Sequence, residues 1–237
     1  DPHRCTLCRE HSECQLYCAD ELERVVKQEG GESISAFIAE PILGTSAAGL
    51  TPPPDYYPRI REICDRHNIL MIIDEVVTGF GRTGKMFATE QWGIVPDIFT
   101  VAKALTSGYL PIGAAIATEK VSNAFMGSEE KAFTHLITFG GNPASAAAAL
   151  ANLDIMIGER MVENSAEMGD YLFEKLQTMY DHPIVGHVRG GKGLLCAVEL
   201  VKDRETKQKF PKEAELSKKI SPLMAKHGLM VRAADVI

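Results

Sequence analysis

Two short apolar runs, each closed by a charged residue, constrain this chain more than any other feature of its sequence. The first run, Leu70 to Ile73, ends at Asp74, and the second, Ile98 to Ala102, ends at Lys103. Both are almost continuously apolar rather than alternating, which is typical of strands in a sheet that is covered on both faces. The sequence therefore predicts an α/β fold with a mostly parallel sheet flanked by helices.

The patterns on either side of these runs predict further strands and helices. Strands are expected at 35–39, 111–118, 185–189, 194–201 and 229–232, and helices at 19–27, 56–67, 143–158, 161–180 and 212–227. From residue 184 the order becomes strand, glycine turn and strand, which differs from the earlier alternation of strands and helices. We therefore expect one domain in residues 1–159 and a smaller α+β domain in residues 160–237.

Charge and hydropathy exclude several kinds of partner. The 237 residues carry a formal net charge of −7 with scattered Lys and Arg, which argues against a nucleic-acid groove. No apolar stretch reaches the roughly 18 residues that a membrane span requires. We expect neither nucleic acid nor membrane as a partner, and a cytoplasmic location.

Four of the six cysteines crowd into the first 18 positions: Cys5, Cys8, Cys14 and Cys18. A Cys-x2-Cys pair followed by two more cysteines can hold zinc, so a structural zinc site is an alternative. The spacing to the last two matches no standard zinc finger. The main expectation is therefore reduced cytosolic thiols and no bound metal.

Glu40, Asp74 and Lys103 all follow apolar runs, and the carboxyl ends of strands are where ligands gather in α/β sheets. A lysine at such a place, without charged neighbours, is expected to have a desolvated amine suited to attack on an aldehyde. Taken alone, Lys103 could equally be a surface lysine that caps a strand.

Asp74 favours the first interpretation. A carboxylate that closes an apolar strand needs a partner, which can be a protonated pyridine nitrogen, an arginine or a metal. Val76 is two residues further, on the same side of an extended chain, where it would face a cofactor ring or simply join the core. An acid and an amine at neighbouring strand ends are what pyridoxal phosphate requires.

Longer motifs make the pattern specific. The stretches DEVVTGFGRTG (74–84), PDI (96–98), AKAL (102–105) and GYLP (108–111) together resemble the signature of class III aminotransferases. The resemblance covers essentially the whole chain, including EP at 40–41 and TFGGNP at 138–143. These are fold-type I enzymes that depend on pyridoxal phosphate, so the resemblance implies that fold and that cofactor.

The resemblance also implies roles for single residues. Lys103 would form the Schiff base with the cofactor and carry the proton during amino transfer, Asp74 would pair with the ring nitrogen, and Val76 would pack on a ring face. Thr138, otherwise a loop threonine, would bind the cofactor phosphate of the neighbouring subunit in a homodimer or higher homo-oligomer. Glu40 and Arg232 would lie in the substrate pocket, with the guanidinium of Arg232 gripping a carboxylate.

Some departures from the family pattern limit these expectations. Val77 stands where many members have a glutamine that contacts the ring hydroxyl. The family's N-terminal segment, half of its large domain and the end of its small domain have no counterpart here, so the chain is expected to be incomplete. Residues 1–159 would then be the second half of the cofactor-binding domain, and residues 160–237 part of the small domain.

The expected reaction is transfer of an amino group from an ω-amino acid or amine to a keto acid such as pyruvate. One alternative is a phospholyase or aminomutase on the same scaffold, because the pocket decides the reaction. The other is an inactive chain, truncated or held together by zinc.

Overall fold

The computed structural model of the protein describes residues 3–6, 14–45 and 47–233. Six α-helices lie within this part of the chain: α1 (Tyr17–Glu29), α2 (Tyr56–Arg66), α3 (Glu119–Ser122), α4 (Pro143–Gly158), α5 (Met161–Gln177) and α6 (Leu216–Lys226). It also contains six strands: β1 (Ala36–Ala39), β2 (Leu70–Asp74), β3 (Ile98–Val101), β4 (Ala114–Ala117), β5 (Val185–Arg189) and β6 (Ala197–Leu200).

The first four strands form one sheet in the order β1-β2-β3-β4. Strand β2 pairs in parallel with both β1 and β3, and β4 closes the edge in antiparallel orientation. The prediction of an α/β fold with a mostly parallel sheet is confirmed. Because β2 and β3 are parallel neighbours, their carboxyl ends lie side by side at the same edge of the sheet.

Helix α2 covers one face of this sheet. Its apolar residues Tyr57, Ile60 and Cys64 fall on one side at helical spacing, and all three are buried. They join a core with Met71 and Ile73, which are the fully buried members of β2. The alternation along β2 thus directs its odd-numbered side chains into the core, and Asp74 is left at the strand end, half-buried.

The part of the chain after residue 160 contains α5, α6 and an antiparallel pair of strands, β5 and β6. The boundary expected near residue 160 coincides with the short connection between α4 and α5 and stays a prediction. Arg160 has a φ of 53° there, a left-handed conformation that cannot continue a helix.

Two predictions near the C-terminus are wrong. Residues 229–232 form no strand, because none of the described strands lies alongside to pair with their backbone groups. The helix expected from residue 212 begins at Leu216, after a single 3₁₀ turn. Glu215 separates the two with a φ of 45°, so the turn and α6 are not continuous.

Within the described residues, we find no helix whose length and hydrophobicity would allow it to span a bilayer.

Candidate active site

Asp74 closes β2 and is fixed by donors on one of its two oxygens. Oδ1 accepts the amide of Val76 at 2.9 Å and the hydroxyl of Thr100 at 3.2 Å. Oδ2 receives no hydrogen bond from the described residues, and none of them forms an ion pair with Asp74. The carboxylate is therefore oriented by neutral donors on one oxygen, and its other oxygen is left for a further partner.

The next residue, Glu75, points the opposite way and has a different role. Its side chain is almost fully buried, with Oε1 accepting the amide of Thr89 at 2.9 Å and Oε2 the amide of Ala88 at 3.0 Å. The Thr78 hydroxyl also donates to Oε2. These amides open the 3₁₀ helix Ala88–Gln91, whose unpaired N–H groups attract a carboxylate. Glu75 is thus a structural acid that fastens the glycine-rich turn.

Lys103 lies at the carboxyl end of β3, the strand next to Asp74, at the first position of a 3₁₀ turn (Lys103–Leu105). Its backbone is left-handed, with a φ of 43°, which is strained for a residue with a side chain. The expectation of a buried amine is wrong in this structure, because the turn lifts the residue off the sheet and the side chain is exposed. No hydrogen bond or ion pair links its amine to another described residue.

Val76 does not continue the strand. The chain turns directly after Glu75, so the expected extended geometry is wrong, and the Val76 amide folds back onto the Asp74 carboxylate. The side chain of Val76 is half-buried. Val77 packs against the turn at Gly44, where an added Cβ would come within 2.7 Å of its Cγ1.

Glu40 follows β1 at the same edge of the sheet. Its Oε2 accepts the amide of Gly44 at 3.1 Å, and its carbonyl accepts the hydroxyl of Tyr57 at 2.6 Å. Burial raises the pKa of the Tyr57 phenol, and the nearby Tyr56, Glu75 and Glu40 raise it further, so this hydroxyl stays protonated and donates. Glu40 is half-buried and fixed at the start of the loop that leads to α2.

Thr138 and Arg232 are not joined to these residues by any contact among the described atoms. Thr138 lies in an exposed turn before α4, between the exposed side chains of Ile137 and Phe139. Arg232 is exposed in the irregular segment after α6 and makes no hydrogen bond or ion pair with a described residue. The structure therefore brings Glu40, Asp74 and Lys103 to one edge of the sheet. It shows no contact among the described atoms between these residues and Thr138 or Arg232.

Thr100, which donates to Asp74 from the neighbouring strand, was not among the site residues predicted from the sequence. A parallel register that pairs Asp74 with Thr100 places the hydroxyl beside the carboxylate. The sequence signal for Thr100 is a hydroxyl residue three positions before Lys103 in an otherwise apolar strand. It becomes meaningful only once the register of the two strands is known.

A second cluster of potential metal ligands lies away from this edge. His3, His187 and Glu199 place one ligand atom each within 4.8 Å of one another. The two imidazoles are stacked, however, with centroids 4.2 Å apart, and Glu199 is paired with Arg4 and Arg189. Two guanidiniums already neutralise this carboxylate. The cluster is therefore a structural contact between the N-terminal segment and strands β5 and β6.

The cysteines that raised the zinc alternative are only partly described, since Cys8 lies outside the described residues. Among the described residues, the sulfur atoms of Cys5, Cys14 and Cys18 do not form one of the compact groups that could share an ion. Burial, together with the nearby thiols of Cys14 and Cys5, raises the pKa of Cys18. The expectation of no bound metal stays a prediction.

Comparison with known proteins agrees with the motifs. The family described as Aminotransferase class-III matches residues 2–236. The chain is 44% identical over 217 residues to the taurine–pyruvate aminotransferase of Bilophila wadsworthia, which covers 84% of this chain and 47% of the relative. It is 40% identical over 224 residues to the putrescine–pyruvate aminotransferase of Pseudomonas aeruginosa, covering 92% of this chain and 47% of the relative.

The fold is similar to those of solved transaminases. One is an amine transaminase from an uncultivated Pseudomonas species in a pyridoxal phosphate-bound form, with a TM-score of 0.86 and 41% identity. That match covers 91% of this chain and 49% of the other. The chain spans about half the length of the curated relatives that it matches.

Proposed function

Because the chain belongs to the class III aminotransferases, a family of fold-type I enzymes that depend on pyridoxal phosphate, we propose that it takes part in amino transfer to pyruvate. The donor is an ω-amino acid or a simple amine. The names of the taurine– and putrescine–pyruvate relatives support this range, since both donors are small primary amines without an α-carboxylate.

The observation that carries the proposal is that Asp74 and Lys103 both lie at the carboxyl ends of adjacent parallel strands. The Asp74 carboxylate is held by neutral donors on Oδ1 and has no cationic partner among the described residues. A half-buried carboxyl group with one oxygen left open fits a protonated pyridine nitrogen. The amine of Lys103 has no partner among them either, which fits an aldehyde beside that ring.

Each residue then has a defined task. When bound, pyridoxal phosphate supplies an aldehyde that condenses with amines and a ring that accepts electrons. Asp74 would hold the ring nitrogen through Oδ2, and Val76 would pack against a ring face. Nζ of Lys103 would hold the cofactor at its aldehyde end, and as a free amine it would carry a proton away from the donor carbon.

Glu40 and Arg232 would act on the substrate. Arg232 is exposed and has no acidic partner within the described part of the chain, so its planar guanidinium is available to an acidic group of a donor or acceptor. Glu40, fixed by the Gly44 amide, offers that guanidinium a counter-charge when no acidic substrate is bound. Donors without an acidic group would then use the same pocket.

A homodimer is part of the proposal, with Thr138 binding the cofactor phosphate in the partner's site. The segment around Thr138 exposes several large apolar side chains, including Leu136 at 90% and Phe139 at 81%. Contiguous apolar surface of this kind is unusual on a monomer and favours burial against another chain.

A cytoplasmic location remains a prediction from the cysteine pattern.

The first experiment tests Lys103. The purified chain is incubated with pyridoxal phosphate, reduced with borohydride and digested, and the peptide that carries the cofactor is identified by mass spectrometry. We expect the label on Lys103 and none in Lys103→Ala, with alanine formed from pyruvate only by the wild-type chain. Label spread over surface lysines, or equal alanine formation by Lys103→Ala, would contradict the proposal.

The second experiment tests the partner's contribution. A dimer of Lys103→Ala chains and a dimer of Thr138→Ala chains should each lack an intact site. A mixed dimer of the two variants should contain one intact site. Random pairing makes half of the dimers mixed, each with one intact site, so roughly a quarter of the wild-type labelling should return. No recovery, while each variant still dimerises by light scattering, would show that Thr138 serves the site of its own chain or none.

A further inference from the structure

The side chain of Asn152, on α4, is bonded to the turn that carries Lys103. Its Nδ2 donates to the carbonyls of Ala104 at 2.9 Å and Leu105 at 3.1 Å, and its Oδ1 accepts the Ser107 hydroxyl at 2.7 Å. The chemistry fixes the orientation of the amide, because two carbonyl oxygens can face only the NH₂ group. One half-buried side chain thus forms hydrogen bonds with three residues of one turn.

This turn needs support from outside. Lys103 and Ser107, at its two ends, both have left-handed backbones, with φ values of 43° and 50°. Neither is glycine, so each conformation is costly and persists only where the surroundings hold it. The bonds inside the turn are modest, with the Thr106 amide 3.3 Å from the Lys103 carbonyl and the Ser107 amide 3.3 Å from that of Ala104.

Packing brings α4 to the same place. Leu105 and Ala149 are buried together with Val101, the last residue of β3, and Leu153 packs against this group. Asn152 lies beside Leu153 on the helix and reaches the turn where this apolar contact ends. The apolar group holds the turn against the sheet, while the amide of Asn152 fixes the direction of its backbone carbonyls.

From these contacts we infer that Asn152 is a positioning residue for Lys103: it holds the strained turn so that Nζ lies where it can bond the cofactor aldehyde. The inference rests on the proposed function of Lys103. It assigns Asn152 no contact with cofactor or substrate. Its effect acts through the backbone of residues 103–107.

The test compares Asn152→Asp with Asn164→Asp. The first variant is nearly isosteric but replaces the two N–H donors with an oxygen that faces two carbonyls. The second makes the same change of charge at an exposed position on α5 and serves as the matched control. Ser107→Ala is a milder variant that removes only the contact to Oδ1. Thermal unfolding establishes that each variant is folded.

Two readouts are needed. Hydrogen exchange, measured by mass spectrometry without cofactor, reports the turn directly, and we expect peptides covering residues 103–107 to exchange about tenfold faster in Asn152→Asp. Borohydride trapping of pyridoxal phosphate, which reduces the carbon–nitrogen double bond to Nζ to a stable amine, reports Lys103. We expect the rate of label appearance on Lys103 to fall about tenfold in Asn152→Asp, a smaller fall in Ser107→Ala, and no change in Asn164→Asp.

The outcomes separate the two proposals. If wild-type Lys103 is labelled and Asn152→Asp is labelled equally fast, the role of Asn152 is refuted and the proposed function stands. Unchanged hydrogen exchange in Asn152→Asp would refute it as well. If wild-type Lys103 takes no label, the proposed function fails and the positioning role fails with it, whatever the exchange data show about the turn.

Discussion

Thr100 donates a hydrogen bond from Oγ1 to Oδ1 of Asp74, across 3.2 Å between two parallel strands. The amide of Val76 reaches the same oxygen from within the turn that follows β2. Two donors on one oxygen fix the plane of the carboxylate and leave the other oxygen for an external partner. The orientation of the proposed cofactor acid is therefore determined by the register of the sheet.

Thr100→Val removes this hydroxyl with little change in shape. We expect the affinity for pyridoxal phosphate to fall several-fold and the free energy of unfolding to drop by about 1 kcal/mol, since one neutral donor is lost. Thr100→Ser keeps the hydroxyl and should retain most of the affinity. Cofactor titration followed by fluorescence and urea unfolding provide the measurements. Equal affinity in wild type and Thr100→Val would show that the Val76 amide suffices.

Glu75→Gln should damage stability rather than chemistry. The buried carboxylate accepts the amides of Ala88 and Thr89, and a glutamine would turn an NH₂ group toward one of these donors. We expect a loss of about 3 kcal/mol in the free energy of unfolding. The control is Glu90→Gln, an exposed acid that accepts the Phe87 amide, which should cost less than about 1 kcal/mol. Similar costs in urea unfolding would contradict the structural role of Glu75.

The stacked histidines predict a dependence of stability on pH. Burial and the adjacent His187 lower the pKa of His3 to about 4, and burial and Arg189 lower the pKa of His187. Below an ordinary histidine pKa of about 6.5, the unfolded chain takes up protons that the folded rings do not. Stability should therefore fall as the pH drops from about 6.5 toward 4.

His187→Phe keeps an aromatic ring in the stack and removes one titrating group, so this fall in stability should become shallower. His227→Gln, which changes an exposed histidine after α6, should leave it unchanged. Urea midpoints at several pH values measure the slope. A slope that is the same in wild type and His187→Phe would locate the acid sensitivity elsewhere.

Gly169, in the middle of α5, allows two backbones to approach closely. A Cβ added there would lie 2.2 Å from the carbonyl carbon of Gly193, which is main chain and has no side chain to rotate away. Gly169→Ala should therefore cost about 3 kcal/mol or more in the free energy of unfolding.

Gly158→Ala is the matched control, since no described atom outside its own helical turn lies within 4 Å of the added Cβ at the end of α4. It should be neutral or stabilise the protein by up to about 1 kcal/mol through helix propensity. If Gly169→Ala unfolds at the same urea concentration as this control, the close approach of α5 to Gly193 does not persist in solution.

Much of the fold followed from local pattern. Two apolar runs end at Asp74 and Lys103, and α2 has one apolar face. Any α/β arrangement of this chain must bury these residues, so the elements could be predicted from the pattern alone. The helix expected at 143–158 matches α4 as observed. The strand expected at 229–232 failed because a strand exists only with a partner, and the periodicity of a segment contains no information about its neighbour.

The site was predictable in part. The sequence placed Asp74 and Lys103 at strand ends, and its motifs identified the family, because charged residues that close apolar strands are uncommon and the spacing between them is long and specific. It could not distinguish the roles of Asp74 and Glu75. They are adjacent acids, and only the packing of the 3₁₀ helix at Ala88 determines which one is buried and structural.

What the sequence by itself determined is the order of strands and helices and the chemistry available at the edge of the sheet. Only the tertiary structure decided where those groups point. Lys103 was expected to be buried, yet it is exposed on a left-handed turn that Asn152 holds from 45 or more positions along the chain. The physical reason is that the apolar pattern that predicts an element is local in the sequence, whereas the orientation of a side chain at a strand end depends on contacts that only folding brings together.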